Sequence, residues 1–274
     1  MSLMTVALET TPIAAGREPR RLFEITPKLL ETLRRGGADM SQLGIPAQPE
    51  PEDGLWDNVS VPQARALKNI WISSMREAAH DDYLRFRFKH LDDPQQKPKS
   101  LERWLDTLVQ AKRDGVRPEV LNLIMPGPIG SGKTTAAAAL GNEASERGLV
   151  TLLVKHATYL AWRRPDGSPD GQRAYQVRKR HVEADLLILD ELAGEMDGTA
   201  TEFARRETVD LIDSRLAAGR PTAYTTNLRS RGTGGNPGIV DILGERLLSR
   251  IESRAHVLKI IGEDRRKPKK DLDW

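Results

Sequence analysis

The sequence predicts an α/β fold in which a parallel sheet is covered by helices on both faces. Three observations predict it. After Gly115, apolar segments of strand length alternate with longer segments of helical periodicity. A glycine-rich loop, Gly127–Thr134, stands between the first strand and the first helix of that region. Four aliphatic residues, Leu186–Leu189, run into two acids, as expected of a central strand buried on both faces.

The elements can be placed from hydrophobic periodicity and from the residues that start and stop helices. Ser100 is the predicted N-cap of the second helix, and Gly148 and Gly219 end two others. The predicted helices are 62–79, 100–113, 134–147, 199–218 and 239–253, and the predicted strands are 120–125, 149–155, 185–190, 221–226 and 255–261. The pattern therefore predicts a parallel five-stranded sheet flanked by helices.

The amino-terminal part of the chain differs from the rest. Six of the 17 prolines fall within residues 1–57, which leaves little room for long regular elements. We expect a flexible arm there, with one short helix at 27–35 that can bind a partner. Residues 58–274 then form the folded domain, with a basic carboxyl-terminal tail. A length of 274 residues suits one such domain with a smaller appendage.

Composition excludes several classes of protein. The chain has no cysteine, which excludes disulfides and cysteine zinc sites. No apolar run approaches the roughly 20 residues that cross a bilayer, and the amino terminus does not resemble a signal peptide. We therefore expect a cytoplasmic protein that does not bind membranes.

Positive charge is concentrated in two segments, although the net charge is only +3. Residues 163–182 hold six basic and two acidic residues, and residues 229–270 hold eleven basic and five acidic ones. Such segments are typical either of a solvated surface or of a nucleic-acid footprint. Tyr159, Trp162 and Tyr175 are the aromatic residues in or beside the first segment that can stack on bases.

The glycine loop matches the phosphate-binding pattern G-x-x-x-x-G-K-[ST] between a strand and a helix. Glycines allow positive φ, so successive N–H groups point at one anion, and the helix adds its positive end. Lys133 can reach the β- and γ-phosphates of ATP, and Thr134 offers its hydroxyl to Mg²⁺. The residues assigned to the nucleotide are Gly127, Pro128, Ile129, Gly130, Ser131, Gly132, Lys133, Thr134 and Thr135.

Asp190 and Glu191 follow the most apolar predicted strand. Open α/β sheets hold their ligands at the carboxyl ends of their strands, so Asp190 is placed to hold Mg²⁺ together with Thr134. Glu191 is placed to polarise an attacking water, which indicates hydrolysis rather than phosphoryl transfer to a small substrate.

Two further candidates come from later elements. Asn227 directly follows the fourth predicted strand, where it can reach the γ-phosphate or the attacking water, although an asparagine there can also cap a loop. Arg246 and Arg250 lie four residues apart on one helix face. An arginine inserted from a neighbouring molecule can stabilise phosphoryl-transfer charge, and a plain surface pair is the alternative.

With these residues, the chain resembles the AAA+ helicase loaders of the DnaC type and their transposition relatives of the IstB type. The resemblance covers roughly residues 115–267. The matching stretches are Gly127–Thr135, Leu186–Leu192, Thr225–Leu228, Gly244–Ile251 and Gly262–Arg266.

The resemblance implies a P-loop AAA+ ATPase and a role for each site residue. Lys133 and Thr134 match the Walker A residues, and Asp190 and Glu191 match the Walker B residues. Asn227 matches sensor 1. Arg250 matches the arginine finger, where Ile251 replaces the family's leucine, and Arg246 matches the nearby basic position. The family also implies self-association into an arc or spiral, with ATP at each junction and single-stranded DNA inside.

Three functions remain open on the sequence. We expect a loader that delivers a replicative helicase to DNA, with a transposition helper ATPase whose partner is a transposase as the alternative. The third is a small-molecule kinase, which the basic segment 163–180 would fit. The acidic pair, Asn227 and the arginine helix argue against it.

Overall fold

The computed structural model of the chain describes residues 61–165, 167–168, 171–194 and 200–264. The predicted arm at 1–57 and its helix at 27–35 lie outside these residues. The boundary between arm and domain at residue 57 therefore stays a prediction.

Five parallel strands form one sheet in the order β2-β3-β4-β1-β5. The strands are β1 (Asn122–Pro126), β2 (Thr151–Lys155), β3 (Leu186–Asp190), β4 (Thr222–Thr226) and β5 (Ala255–Val257). This confirms the predicted sheet. β3 and β4 are buried throughout and pair with each other. The strands that lead to the two acids and to Asn227 therefore lie side by side in the interior.

The helices cover both faces of the sheet. They are α1 (Val61–Glu77), α2 (Pro98–Asp114), α3 (Lys133–Glu146), α4 (His156–Trp162), α5 (Ala174–Glu183), α6 (Glu202–Ala217), α7 (Ile239–Leu243) and α8 (Glu245–Glu252). Two short 3-10 helices, Asp81–Arg85 and Phe88–His90, connect α1 to α2. α4 and α5 were not predicted.

Three predicted boundaries are wrong. The helix predicted at 239–253 is two helices, because Gly244 has φ 94° and interrupts the backbone between α7 and α8. Ser100 is not an N-cap, since α2 begins at Pro98 after Lys97. The last strand is shorter than predicted, although the Leu258 and Ile260 N–H groups still donate to carbonyls of β1 (2.7 and 2.8 Å).

The core has two layers, one on each face of the sheet. Alternate residues of a strand point to opposite faces, so Leu186 and Ile188 pack with α1, α2 and α3. Leu187 and Leu189 pack with the helices of the other face. Helices on both faces of the sheet thus support the edge at which the strands end.

A glycine notch joins α1 to α3. A Cβ atom added at Gly141 would lie 2.1 Å from Trp71 Cη2, so the indole fits only because that residue is glycine. Trp71 Nε1 donates to Asn142 Oδ1 (2.7 Å). Asn142 Nδ2 in turn donates to the carbonyls of Tyr83 and Phe86 (3.1 and 2.7 Å). These contacts fix the segment after α1 beside the helix that follows the glycine loop.

Arg215 of α6 ties together the starts of β3 and β4. Its side chain is buried and donates to the carbonyls of Ala184 (2.9 Å) and Pro221 (2.5 Å) and to Thr222 Oγ1 (2.9 Å). Both strands have only five residues, so fixing the starts of β3 and β4 relative to each other also fixes their ends, which carry the candidate site.

Candidate nucleotide site

The glycine loop connects the end of β1 at Pro126 to the start of α3 at Lys133. Gly130 and Gly132 have φ 76° and 91°, a region that favours glycine. α3 has 14 residues, and its first N–H groups have no partner within the helix. The loop therefore has the backbone of an anion-binding site.

The side chains of the loop either bond to its own backbone or line the adjoining cavity, and Lys133 does both. Lys133 Nζ donates to the carbonyls of Gly127 (2.9 Å) and Pro128 (2.7 Å), which holds the ammonium over the loop. Ser131 is buried, and its hydroxyl also donates to Pro128 O (2.8 Å). The loop residues that line the adjoining cavity are Ile129, Gly130, Gly132, Lys133, Thr134 and Thr135.

Asp190 is fully buried at the end of β3. Thr134 Oγ1 lies 3.2 Å from its Oδ2, and Thr225 Oγ1 donates to its Oδ1 (2.5 Å). His80 Nε2 lies 3.3 Å from Oδ2. The structure therefore brings the predicted pair Thr134 and Asp190 together and adds two neighbours that sequence reasoning missed.

Glu191 turns the chain away from β3. Its φ is 55°, a left-handed conformation that is strained for a residue with a side chain. Its N–H donates to Thr225 Oγ1 (2.9 Å), and its carbonyl accepts the Gly194 N–H (2.9 Å). This turn brings the half-buried Glu191 to the wall of the cavity, whereas Asp190 stays beneath it.

His156 supports that turn from behind. The Ala193 N–H donates to its Nδ1 (3.2 Å), so the ring proton is on Nε2, which faces Thr208 Oγ1 at 2.8 Å. Burial lowers the pKa of His156 to about 4, so the ring is neutral at pH 7. A neutral imidazole can accept the Ala193 N–H, which the charged form cannot do.

A cavity of about 590 Å³ joins these groups. Lys133, Thr134, Glu191 and Asn227 line it from three elements that are far apart in the sequence. A fourth wall comes from the segment after α1, with Asp82, Tyr83, Arg85 and Phe86. The cavity size is in the range of small-molecule sites.

The missed residues differ in the signal that they leave in the sequence. Thr225 is the next-to-last residue of β4, two positions before Asn227, so its position near the acids was available from the predicted sheet. His80 and the segment 82–86 left no such signal, since their place depends on how α1 packs against β2 and α3.

The carboxyl-terminal segment lies against the glycine loop. A Cβ at Gly127 would lie 2.3 Å from Ile260 O, and one at Gly130 would lie 1.8 Å from Asp264 Oδ1. The Ile261 N–H donates to Gln95 O (3.1 Å). The loop thus has glycine at two positions where other chain segments approach closely.

The two candidate arginines lie on α8, apart from this cavity. Both face Asp213 of α6: Arg246 Nη2 lies 3.6 Å from Asp213 Oδ2, and Arg250 Nε forms an ion pair with Oδ1. Leu247, Leu248 and Ile251 on the other side of α8 are buried. The arginine pair therefore lies on a surface of the protomer.

The basic segment 163–180 is partly neutralised within the fold. Three of its arginines form ion pairs with acids, namely Arg163 with Glu207, Arg178 with Asp210 and Arg180 with Glu77. Arg164, Arg173 and Lys179 are exposed, and Tyr175 is 60% exposed. Tyr159 is buried, so its prediction as a base-stacking residue is wrong.

Comparison with known proteins identifies relatives by sequence. Residues 100–272 match the model of the IstB-like ATP binding protein family. The chain is 37% identical over 141 residues to the ATP-binding protein assigned to insertion sequence IS1162 of Pseudomonas fluorescens (49% of this chain, 55% of that protein). It is 27% identical over 134 residues to the replicative helicase loader DnaC of Escherichia coli K12 (48% and 50%). The chain thus spans about half the length of these curated relatives.

Solved structures show a similar fold. The crystal structure of DnaI superposes with a TM-score of 0.51 at 19% identity, covering 68% of this chain and 93% of that one. A DNA replication initiation factor gives 0.51 at 18% identity, covering 64% and 49%. In the part of the chain that the structure describes, no helix is long and apolar enough to cross a membrane. By its family match and its fold, the chain belongs to the IstB-like ATP binding proteins and has the architecture of P-loop AAA+ proteins.

Proposed function

We propose that the chain is an ATPase that hydrolyses ATP with Mg²⁺ and acts on DNA as a replicative helicase loader. The observation that carries the proposal is the arrangement of Lys133, Thr134, Glu191 and Asn227 around one cavity with Asp190 beneath it. A glycine loop of anion-binding geometry forms the floor of that cavity.

The donor set fits Mg²⁺. Thr134 Oγ1 and the Asp190 carboxylate are hard oxygen ligands that already lie 3.2 Å apart. Bound Mg²⁺ would neutralise charge that develops on the phosphates. Thr225 holds the second carboxylate oxygen through a hydrogen bond, so Asp190 cannot turn away from Thr134.

Each remaining side chain has a role in hydrolysis. The Lys133 ammonium exchanges loop carbonyls for phosphate oxygens, which are stronger acceptors for a cation. Glu191 polarises the attacking water as a general base. The Asn227 amide orients that water or binds the γ-phosphate, and a Cβ at Gly194 would lie 3.3 Å from Asn227 Oδ1, which indicates how closely the two segments approach.

Self-association completes the proposal. Arg250, with Arg246 beside it, lies on a protomer surface rather than in its own cavity. An arginine at such a place can reach the nucleotide of a neighbour, and a heterologous interface of this kind generates an arc or spiral. Single-stranded DNA then binds along the inside of the assembly.

Two variants test the ATPase proposal. Lys133→Ala should abolish ATP binding, because it removes the cation that contacts the phosphates. Glu191→Gln should bind ATP as the parent does and lose turnover, because an amide is not a base. Binding is measured with a fluorescent ATP analogue and turnover by phosphate release. Normal ATP binding by Lys133→Ala would show that the loop is not the nucleotide site.

A transposase is the second candidate partner. The chain is 37% identical to the protein of insertion sequence IS1162 and 27% identical to DnaC. The higher identity to the insertion-sequence protein favours a transposase as the partner. Full-length Glu191→Gln protein with ATP should retain a hexameric replicative helicase in a pull-down and should not retain a transposase. If only the transposase is retained, the proposed function changes from a helicase loader to a transposition helper.

A further inference from the structure

One carboxylate is shared by the two arginines of α8. Asp213 lies on α6, and its two oxygens face Arg250 Nε and Arg246 Nη2. The side chains of Asp213 and Arg250 are 35% and 33% exposed, and that of Arg246 is 70% exposed. A single carboxylate cannot neutralise two guanidinium groups, so this cluster of three side chains retains a net positive charge that suits an anion.

The contact engages one edge of the Arg250 guanidinium. The Arg250 Nε atom is buried, and its N–H is not aligned for a hydrogen bond to Asp213. Charge attraction therefore holds the two side chains together. Nη1 makes only a long contact, 3.4 Å, to Arg246 O. A guanidinium can bind oxyanions through the edge formed by its two terminal nitrogens, and the Asp213 contact leaves that edge available.

We propose that Asp213 is a positioning residue that orients Arg250 toward the nucleotide of a neighbouring protomer. This inference rests on the proposed role of Arg250 in trans. An arginine side chain has many rotamers, and ordering it costs free energy each time that a junction forms. The Asp213 carboxylate pays that cost within the protomer, so the terminal nitrogens already face outward when the neighbour arrives.

The chain offers a matched control on the same helix. Asp210 lies one turn before Asp213 on α6 and also pairs with an arginine, Arg178 of α5. Asp210→Asn removes the same charge from α6 and breaks an ion pair without touching α8. Any effect specific to Asp213 must therefore arise from its contact with Arg246 and Arg250.

A mixing experiment isolates the arginine from the protomer's own cavity. The acceptor is Arg250→Ala, which retains its catalytic groups but supplies no arginine. The donor is Glu191→Gln, which supplies the arginine but cannot hydrolyse ATP. Two further donors carry Asp213→Asn or Asp210→Asn in addition to Glu191→Gln. All are full-length chains, and hydrolysis in each mixture reports only junctions at which the donor's arginine faces the acceptor's nucleotide.

We expect the Asp213→Asn donor to restore about tenfold less activity than the Glu191→Gln donor, because a mispositioned group loses much of its effect. The loss should appear in kcat with KM for ATP unchanged. The Asp210→Asn donor should match the Glu191→Gln donor. An Asp213→Glu donor should recover part of the loss, since it returns the carboxylate.

Three results would overturn the inference in distinguishable ways. Equal rescue by the Asp213→Asn and Glu191→Gln donors means that Asp213 does not position Arg250. Equal losses with Asp213→Asn and Asp210→Asn mean that the effect is a general loss of charge on α6. No rescue by the Glu191→Gln donor itself means that Arg250 does not act in trans, and the proposed function then fails at that step.

Discussion

Thr225 joins the two acids of the candidate site. Its hydroxyl donates to Asp190 Oδ1 and accepts the N–H of Glu191, so one atom orients the proposed metal ligand and the proposed base together. The strained backbone of Glu191 persists because such contacts hold it. The site therefore depends on a buried threonine that also lines the cavity.

Thr225→Val tests this dependence. Valine keeps the shape of threonine but neither hydrogen bond, so Asp190 Oδ1 retains only the 3.4 Å contact of Thr134 Oγ1 and the Glu191 N–H loses its acceptor, at a cost of about 1–3 kcal/mol. We expect ATP hydrolysis to fall about tenfold or more, as is usual for misplaced catalytic groups. Thermal melts and phosphate release measure the two effects.

The control for that variant is Thr151→Val. Thr151 is buried in β2, and its hydroxyl donates only locally, to Leu149 O (3.1 Å). It should lose stability without a specific loss of hydrolysis relative to the folded fraction. Equal activity losses in both variants would contradict the role of Thr225.

Residues that follow strands could be placed from the sequence, because parallel strands bring their carboxyl ends to one edge. Asp190, Glu191 and Asn227 are of this kind, and the structure brings the last two to one cavity with Lys133. His80 could not be placed, since it meets Asp190 across 110 positions of the chain. That contact exists only because α1 packs on β2 and α3.

Among the elements, α5 shows what a count of charges along the sequence leaves out. Its basic residues indicated a solvated or nucleic-acid surface, yet Arg178 and Arg180 pair with acids of α6 and α1. The pairing acids are distant in sequence, so composition within a window of 20 residues cannot reveal it. Periodicity succeeded for long elements such as α2 and α6, and it failed where Gly244 divides α7 from α8.

The notch between α1 and α3 leads to a prediction about packing. Alanine is favoured over glycine in a helix by about 1 kcal/mol, so Gly141→Ala would ordinarily stabilise α3. Its Cβ would overlap the Trp71 ring, and overpacking costs about 1–3 kcal/mol. We therefore expect a net loss of stability in urea unfolding.

Trp71→Ala provides the background for that test. Once the ring is removed, Gly141→Ala should become neutral or stabilising, and a double-mutant cycle measures the coupling. The same loss from Gly141→Ala in both backgrounds would show that the notch is not the cause.

For the whole molecule, two buried histidines predict sensitivity to acid. Burial lowers the pKa of His156 and His181 to about 4, against about 6.5 when unfolded. The unfolded chain therefore binds more protons between these values. The contribution of these two histidines to stability is complete above pH 6.5 and is lost as the pH falls toward 4, by up to about 1.4 kcal/mol per pH unit for each histidine.

Urea midpoints measured from pH 7.5 to 4.5 check this expectation. His181→Gln should reduce the slope below pH 6.5, because one of the two proton-binding groups is gone. His256→Gln is the control, since His256 is exposed. The same slope in His181→Gln as in the parent would contradict the assignment for His181.

The proposed binding of single-stranded DNA is also tested on the whole molecule. Because the net charge is only +3, the proposal assigns this binding to exposed local groups such as Lys179 and Tyr175 on α5. With ATP present, binding of single-stranded DNA should weaken steeply with added salt, as counterion release requires. Tyr175→Ala should weaken it by about 1–3 kcal/mol through lost stacking.

Lys68→Gln, on α1, is the control for charge because Lys68 is exposed on the opposite face of the sheet. It should leave the salt dependence unchanged. Binding that is indifferent to salt, or absent at low salt, would argue against a DNA role for this surface.

Trp71 and Gly141 also constrain how relatives of this chain can diverge. A larger residue at position 141 leaves no room for an indole at position 71, so the two positions should be replaced together rather than one at a time. Asn142 should vary with them, since its side chain accepts the indole N–H. A sequence alignment should therefore show these three positions as a covarying set, inherited as a unit with α1.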